Sequence, residues 1–139
     1  MKSSVSHTLA THVEALFLTG KAAINATGNA GDNRITGNAA ANMLDGGAGD
    51  DTLTGGGGND TFVFTGTFGN DTVTDFHGGD GAGDVLHLSL GTAFDTFAEV
   101  IAAAHEVQGG TVLDFGSHGE VALNGVSLSK LAADDFMLS

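Results

Sequence analysis

The chain has 139 residues, enough for one compact domain and too few for two of ordinary size. It holds 23 Gly, no Pro, Cys, Trp or Tyr, and 17 acids against four bases, for a formal net charge of -13. That balance excludes nucleic acid and anionic membranes as partners, since both reward Lys and Arg, and the absence of cysteine excludes a disulfide scaffold or a thiolate zinc site.

High charge with low hydrophobicity would mean disorder, but 41% of the chain is hydrophobic. The acids are 13 Asp and four Glu. Asp with Gly and Asn belongs in tight turns, whereas helical surfaces favour Glu. A chain rich in short acidic turns points to hard cations as partners.

In the first 27 residues, apolar positions between Val5 and Gly20 are interrupted by His7, His12 and Glu14. No h-region or cleavage site follows, so no N-terminal signal peptide is expected. No run approaches the ~18 apolar residues of a membrane span.

From Gly28 the chain repeats every nine residues without a gap: GNAGDNRIT, GNAAANMLD from Gly37, GGAGDDTLT from Gly46 and GGGGNDTFV from Gly55. The sixth place holds Asn33, Asn42, Asp51 and Asp60, and the eighth holds Ile35, Leu44, Leu53 and Phe62. After two extra residues comes GTFGNDTVT from Gly66, then a degenerate GDGAGDVLH from Gly79 with Asp84 and Leu86 in phase. Glycine permits the positive φ of a sharp turn, and each short strand offers one large apolar residue. Only stacked neighbours can bury such residues in a continuous core, which rules against a flexible Gly-rich linker.

The blocks GGAGDDTLT and GGGGNDTFV match G-G-x-G-x-D-x-U-x, and the chain resembles the RTX (repeats-in-toxin) calcium-binding family. The resemblance extends upstream through VSHTLATHVEALFLTGKAAINATGN and downstream through NDTVTDF and GDVLHLS. It implies an all-β fold: a right-handed parallel β-roll with a C-terminal cap containing one short helix and a β-hairpin. The implied organisation is a lead-in over 1–27, the roll over 28–90, and a cap with an export signal over 91–139.

Calcium takes six to eight oxygens from carboxylates and carbonyls. The family pattern, carried over place by place, pairs Asp32 with Asp51 and adds the carbonyls of Gly28, Ala30, Gly46 and Ala48. It pairs Asp50 with Asp71 at the next step on that side. On the opposite side it pairs Asn59 with Asp84, with carbonyls of Gly55 and Gly57. The turn from Gly37 has Ala41 in the fifth place, so its site with Asp60 is expected to be weak or empty. Asn33 and Asn42 replace the family's Asp, so the Asn-rich start is expected to be largely metal-free, its amides stacking as uncharged rungs. Asp75 and Asp80 flank Phe76 and are candidates for a further ion. Several calcium ions are therefore implied as cofactors.

Past the repeats, Leu86, Leu88 and Leu90 alternate with His87 and Ser89 as in a half-buried strand. Asp95 is positioned to cap a helix to about Val107, with Phe97, Val100, Ile101 and Ala104 as its apolar stripe. TVLDF and GEVALN read as a hairpin joined by GSH. The ending Asp134, Asp135, Phe136, Met137, Leu138 resembles the C-terminus of proteins exported by type I secretion, and a buried last strand has the same pattern.

No catalytic motif appears. His105–Glu106 lacks the second His of H-E-x-x-H, where Gly109 stands, and GVSLS has Ser129 where a nucleophile elbow needs Gly. The glycine turns lead into strands and not into phosphate-holding helices. His7, His12, His77, His87 and His118 are expected at the surface.

The resemblance thus implies a non-catalytic calcium-binding module, extracellular, that folds on calcium outside the cell. It would be the folding and export end of a type I secreted protein such as a protease, lipase, polysaccharide-modifying enzyme or adhesin, with the secretion machinery as its partner. The alternative is an adhesin-like surface module gripping polysaccharide or ice, for which Thr27, Thr36 and Thr54 recur at multiples of nine.

Overall fold

A computed structural model describes residues 1–79, 81 and 83–139. Asp80 lies outside the described residues.

Turns alternate with short strands, and from β1 to β10 successive strands go to opposite sheets. In chain order the strands are β1 (Lys2–Ser3), β2 (His7–Thr8), β3 (Ala15–Leu18), β4 (Ala26–Thr27), β5 (Arg34–Thr36), β6 (Met43–Asp45), β7 (Thr52–Thr54), β8 (Thr61–Thr65), β9 (Gly69–Val73) and β10 (Val85–Ser89). Next come helix α1 (Phe97–Ala102), β11 (Ala104–Val107), β12 (Gly110–Asp114), β13 (Gly119–Asn124) and β14 (Phe136–Leu138). The first sheet runs β1-β3-β5-β7-β9-β13-β12-β11, and the second runs β14-β10-β8-β6-β4-β2. Within the repeats every pairing is parallel. The architecture is a parallel β-roll.

The nine-residue period fixes the register. In the first sheet Leu16 lies opposite Ile35, Ile35 opposite Leu53, and Leu53 opposite Val73. In the second, Ala26 lies opposite Leu44, Leu44 opposite Phe62, and Phe62 opposite Leu86. Ile35, Leu44, Leu53, Phe62, Val73 and Leu86 are all 0% exposed, so every eighth place points inward. Full burial of such a side chain stabilises by ~1.5–3 kcal/mol, which a single three-residue strand could never gain alone. The lead-in joins the same stack, since β3 and β4 pair with β5 and β6.

The far end departs from the sequence expectation in one respect. The helix does not run from Asp95 to Val107: it covers Phe97–Ala102, with Thr96 as N-cap in a capping box with Glu99. A helix this short has little stability of its own. Residues 104–107 instead pair antiparallel with β12 across the turn at Gln108 and Gly109, whose φ is +97°. The expected hairpin thereby becomes a three-stranded meander, and its β13 pairs parallel with β9. Strand β14 adds to the other sheet beside β10.

Leu53→Ala in the calcium-loaded protein is expected to cost about 3 kcal/mol of unfolding free energy, as for other buried Leu truncations. Thr52→Ala, on the outer face, is expected to cost under ~1 kcal/mol. Denaturant unfolding of both variants checks the inward column, and equal losses would contradict it.

Candidate calcium-binding turns

The two full repeats fold into one kind of turn. Gly47 and Gly49 have φ of +95° and +110°, and Gly56 and Gly58 have +96° and +91°. Side chains rarely tolerate this region, which explains glycine at the second and fourth places. The first-place glycines have another reason: a Cβ on Gly46 would run into the Asp51 carboxylate, and one on Gly55 into that of Asp60. The acid thus folds back over the start of its own turn. A Cβ on Gly28 or Gly37 would strike the carbonyl oxygen of Gly46 or Gly55, so those carbonyls lie against the preceding turn of the stack.

The sixth-place acids form a ladder. Asp51 Oδ1 accepts a hydrogen bond from the Asn33 amide at 2.7 Å, and Asp60 Oδ1 accepts from the Asn42 amide at 2.8 Å. Asp71 Oδ1 accepts from the Asp51 amide and Asp84 Oδ1 from the Asp60 amide, each at 2.8 Å. In the fifth place, Asp32 Oδ1 accepts from the Asp50 amide and Asp50 Oδ1 from the Asn70 amide, each at 2.9 Å. Asp32 and Asp51 therefore span one gap between stacked turns, and Asp50 and Asp71 span the next. On the opposite side Asp84 spans a gap to the turn holding Asn59, which is exposed. Ala30, Ala48 and Gly57 occupy exposed turn tips.

The other carboxylate oxygens decide what the gaps require. Asp51 Oδ2 and Asp60 Oδ2 are buried without any hydrogen-bond partner, on residues that are each 1% exposed. Leaving a buried acceptor unsatisfied costs ~1–3 kcal/mol, and more when it is charged. Oxygen donors alone suit a hard cation, which a carboxylate and turn carbonyls can share. Among the described residues no three His, Asp or Glu side chains form a metal-holding group, so a cation here would depend on main-chain carbonyls for most of its ligands. With the orphaned oxygens folded against Gly46 and Gly55, whose carbonyls lie against the turn before, the residues present fit calcium. The Asp60 orphan falls in the gap facing Ala41, where the fifth-place rule expects a weak site.

Burial also raises the carboxyl pKa values. Desolvation pushes Asp71 up to about 8, with added repulsion from Asp51, Asp50 and Asp45 against one backbone hydrogen bond that lowers it. Burial pushes Asp51 and Asp60 up to about 6 each. Asp45 is raised as well, by burial, and belongs to the same acidic group as Asp51 and Asp71. Sequence reasoning missed Asp45. Its only signal was an acid in the ninth place, where three of the six blocks carry Thr. Asp75 accepts from the Gly55 and Gly56 amides at 2.8 Å each and so braces a turn directly.

Residues 27–62 match the RTX calcium-binding nonapeptide repeat in four copies. The segment is an RTX repeat array. Among solved structures, the extracellular lipase LipA from Serratia marcescens is similar, with a TM-score of 0.61 and 32% identity over 96% of this chain. The match spans 19% of the lipase chain. No curated protein matches the chain.

Two outcomes test the RTX turns. Each raised carboxyl holds its proton more tightly folded than unfolded, where Asp titrates near ~3.9. The protonated, metal-free roll is therefore most stable below about pH 4 and loses that stability as pH rises through about 6 for Asp51 and Asp60 and about 8 for Asp71. In EGTA the far-UV β signal should fall between pH 5 and pH 8.5, and a signal rising with pH would contradict the buried-carboxylate account. Secondly, Asp51→Asn removes a charge and supplies an amide donor to the gap. At pH 8.5 in EGTA it should keep more β signal than the parent chain while calcium affinity drops, as read by circular dichroism and calorimetry.

Proposed function

We propose that this chain is a calcium-triggered folding module of a larger extracellular protein. The observation carrying this reading is the pair of orphaned oxygens, Asp51 Oδ2 and Asp60 Oδ2, sealed inside otherwise hydrogen-bonded turns. Without a cation the stack must bury these oxygens and set Asp71 beside Asp51, Asp50 and Asp45. With calcium bridging the gaps, binding free energy becomes folding free energy. Extracellular calcium modules commonly work at ~10⁻⁴–10⁻³ M, above cytosolic calcium, so the acidic glycine turns stay open inside a cell and close outside. The 32% identity to an extracellular lipase over 96% of this chain supports that setting, and the 19% share of the lipase supports a module attached to a larger cargo.

Export by type I secretion fits the same scheme. In the folded chain the tail is strand β14, with Asp135 accepting from the Gly79 amide at 2.7 Å and Asp134 from the Gly81 amide at 2.8 Å. A transporter would therefore engage the tail before calcium folds it. The folding reading is favoured over a sugar- or ice-gripping surface: no Phe is among the exposed large apolar residues, and the outer-face hydroxyls of Thr54 and Thr74 bond each other at 2.6 Å.

Far-UV circular dichroism from EGTA into millimolar calcium, with magnesium as control, tests the proposal. A cooperative gain of β signal with calcium alone is expected. An unchanged β spectrum in EGTA would defeat it.

A further inference from the structure

The first two turns of the array are closed by different chemistry from the two that follow. In the turn from Gly28, the Asn29 side-chain amide donates to the carbonyls of Ala10 at 2.8 Å and Val13 at 2.9 Å, in the preceding turn of the stack. In the turn from Gly37, the Asn38 amide donates to Ala22 at 2.9 Å and Thr19 at 3.4 Å, the residues nine places on. Both Asn side chains also receive a backbone amide of their own turn, Gly31 and Ala40, at 2.9 Å. In the sixth place, Asn42 Nδ2 donates to the Ile24 carbonyl at 2.7 Å and Asn33 Nδ2 to Val13 at 3.3 Å.

The comparison with the later turns is direct. Where Asn29 and Asn38 stand, the later turns carry Gly47 and Gly56, which have no side chain to donate. Where Asn33 and Asn42 stand, they carry Asp51 and Asp60, whose second oxygens are orphaned. The Asn turns also avoid positive φ, since His12 is the only non-glycine with it among the described residues and Gly28, Gly31 and Gly37 lack it.

We propose that Asn29 and Asn38 occupy the place that a cation takes in the later turns. The amide presents N–H donors to the carbonyls of the turn before, and the paired Asn in the sixth place leaves no buried charge to neutralise. Residues 10–45 then close without metal and offer the edges of β5 and β6 as a template on which the calcium-dependent turns add. The roll is thus divided into an amide-closed half and an ion-closed half. The templating role rests on the calcium-triggered reading above, while the amide closure does not.

Hydrogen exchange on the full chain tests this. In EGTA, the amides of Asn29, Arg34 and Asn38 are expected to exchange about 100-fold more slowly than those of Thr72 and Val85, with calcium slowing the latter. If all five exchange as in an unfolded chain in EGTA and slow together in calcium, the amide closure is overturned and the calcium reading stands. If all five are slow in EGTA, the calcium reading falls, and the variant Asn29→Ala/Asn38→Ala decides the amide closure. Loss of protection at Arg34 in that variant supports it, and unchanged protection overturns it. A second variant, Asn38→Gly with Asn42→Asp, restores the charged glycine turn. It should make protection at residues 37–45 require calcium, and protection persisting in EGTA would overturn the proposal.

Discussion

A parallel stack places like residues directly over one another, so any charge written into the repeat meets its own copy one rung away. Asp51 and Asp71 show the consequence, since burial and mutual repulsion both hold the Asp71 carboxyl in its protonated range. Hydrogen bonding answers only half of the problem. Backbone amides reach one oxygen of Asp51 and one of Asp60, and the other oxygen of each remains sealed in without a partner. A cation bridging the gap would remove the repulsion and the orphaned acceptor together, which would make the metal part of the core.

The same constraint explains how the ends are built. A parallel roll exposes two strand edges at its last rung, and exposed edges invite aggregation. Strand β13 continues the first sheet beyond β9, and β14 continues the second beyond β10. Aromatic rings fill the space beneath: Phe68 and Phe115 lie 6.3 Å apart in an edge-on contact, and Phe94 meets Phe115 at 4.9 Å. Asp135 is 1% exposed, and its carboxylate ties the last glycine turn to the tail through the amides of Gly79 and Ala132. The acidic pair of the tail therefore has a structural task in the folded chain besides any role in export.

What the sequence made legible was what has a period. Gly in the first place and an apolar residue in the eighth recur because sterics and burial impose them on every rung, so the roll and its inward column were readable. The rungs at Leu16 and Ala26 were harder, because their turns lack the Gly-rich motif and only the pairing with Ile35 and Leu44 shows them to be in phase. The helix was overextended because the stripe through Val100 and Ala104 fits a helix and a strand edge alike at that length. Asp45 escaped notice because it contributes through burial and proximity, neither of which a motif position encodes. Asp32 and Asp51 share one gap through a register that the unbroken nine-residue spacing preserves.

Motif and metal dependence do not coincide along this chain. The repeat match covers 27–62 and so includes both Asn turns, yet it stops before Asp71 and Asp84. Those two acids bond the amides of Asp51 and Asp60, completing the gaps on the far side of the charged turns. A repeat is recognised by its glycines and by the buried apolar residue, of which only the latter recurs on every rung, since those of Leu16 and Ala26 lack the glycines. On the amide-closure proposal, the second- and sixth-place residues choose what fills the gap: Gly with Asp leaves two orphaned carboxylate oxygens, and Asn with Asn leaves none. The repeat match thus covers only part of the stack, and on the proposal above the Gly–Asp pairings mark the turns that would need calcium.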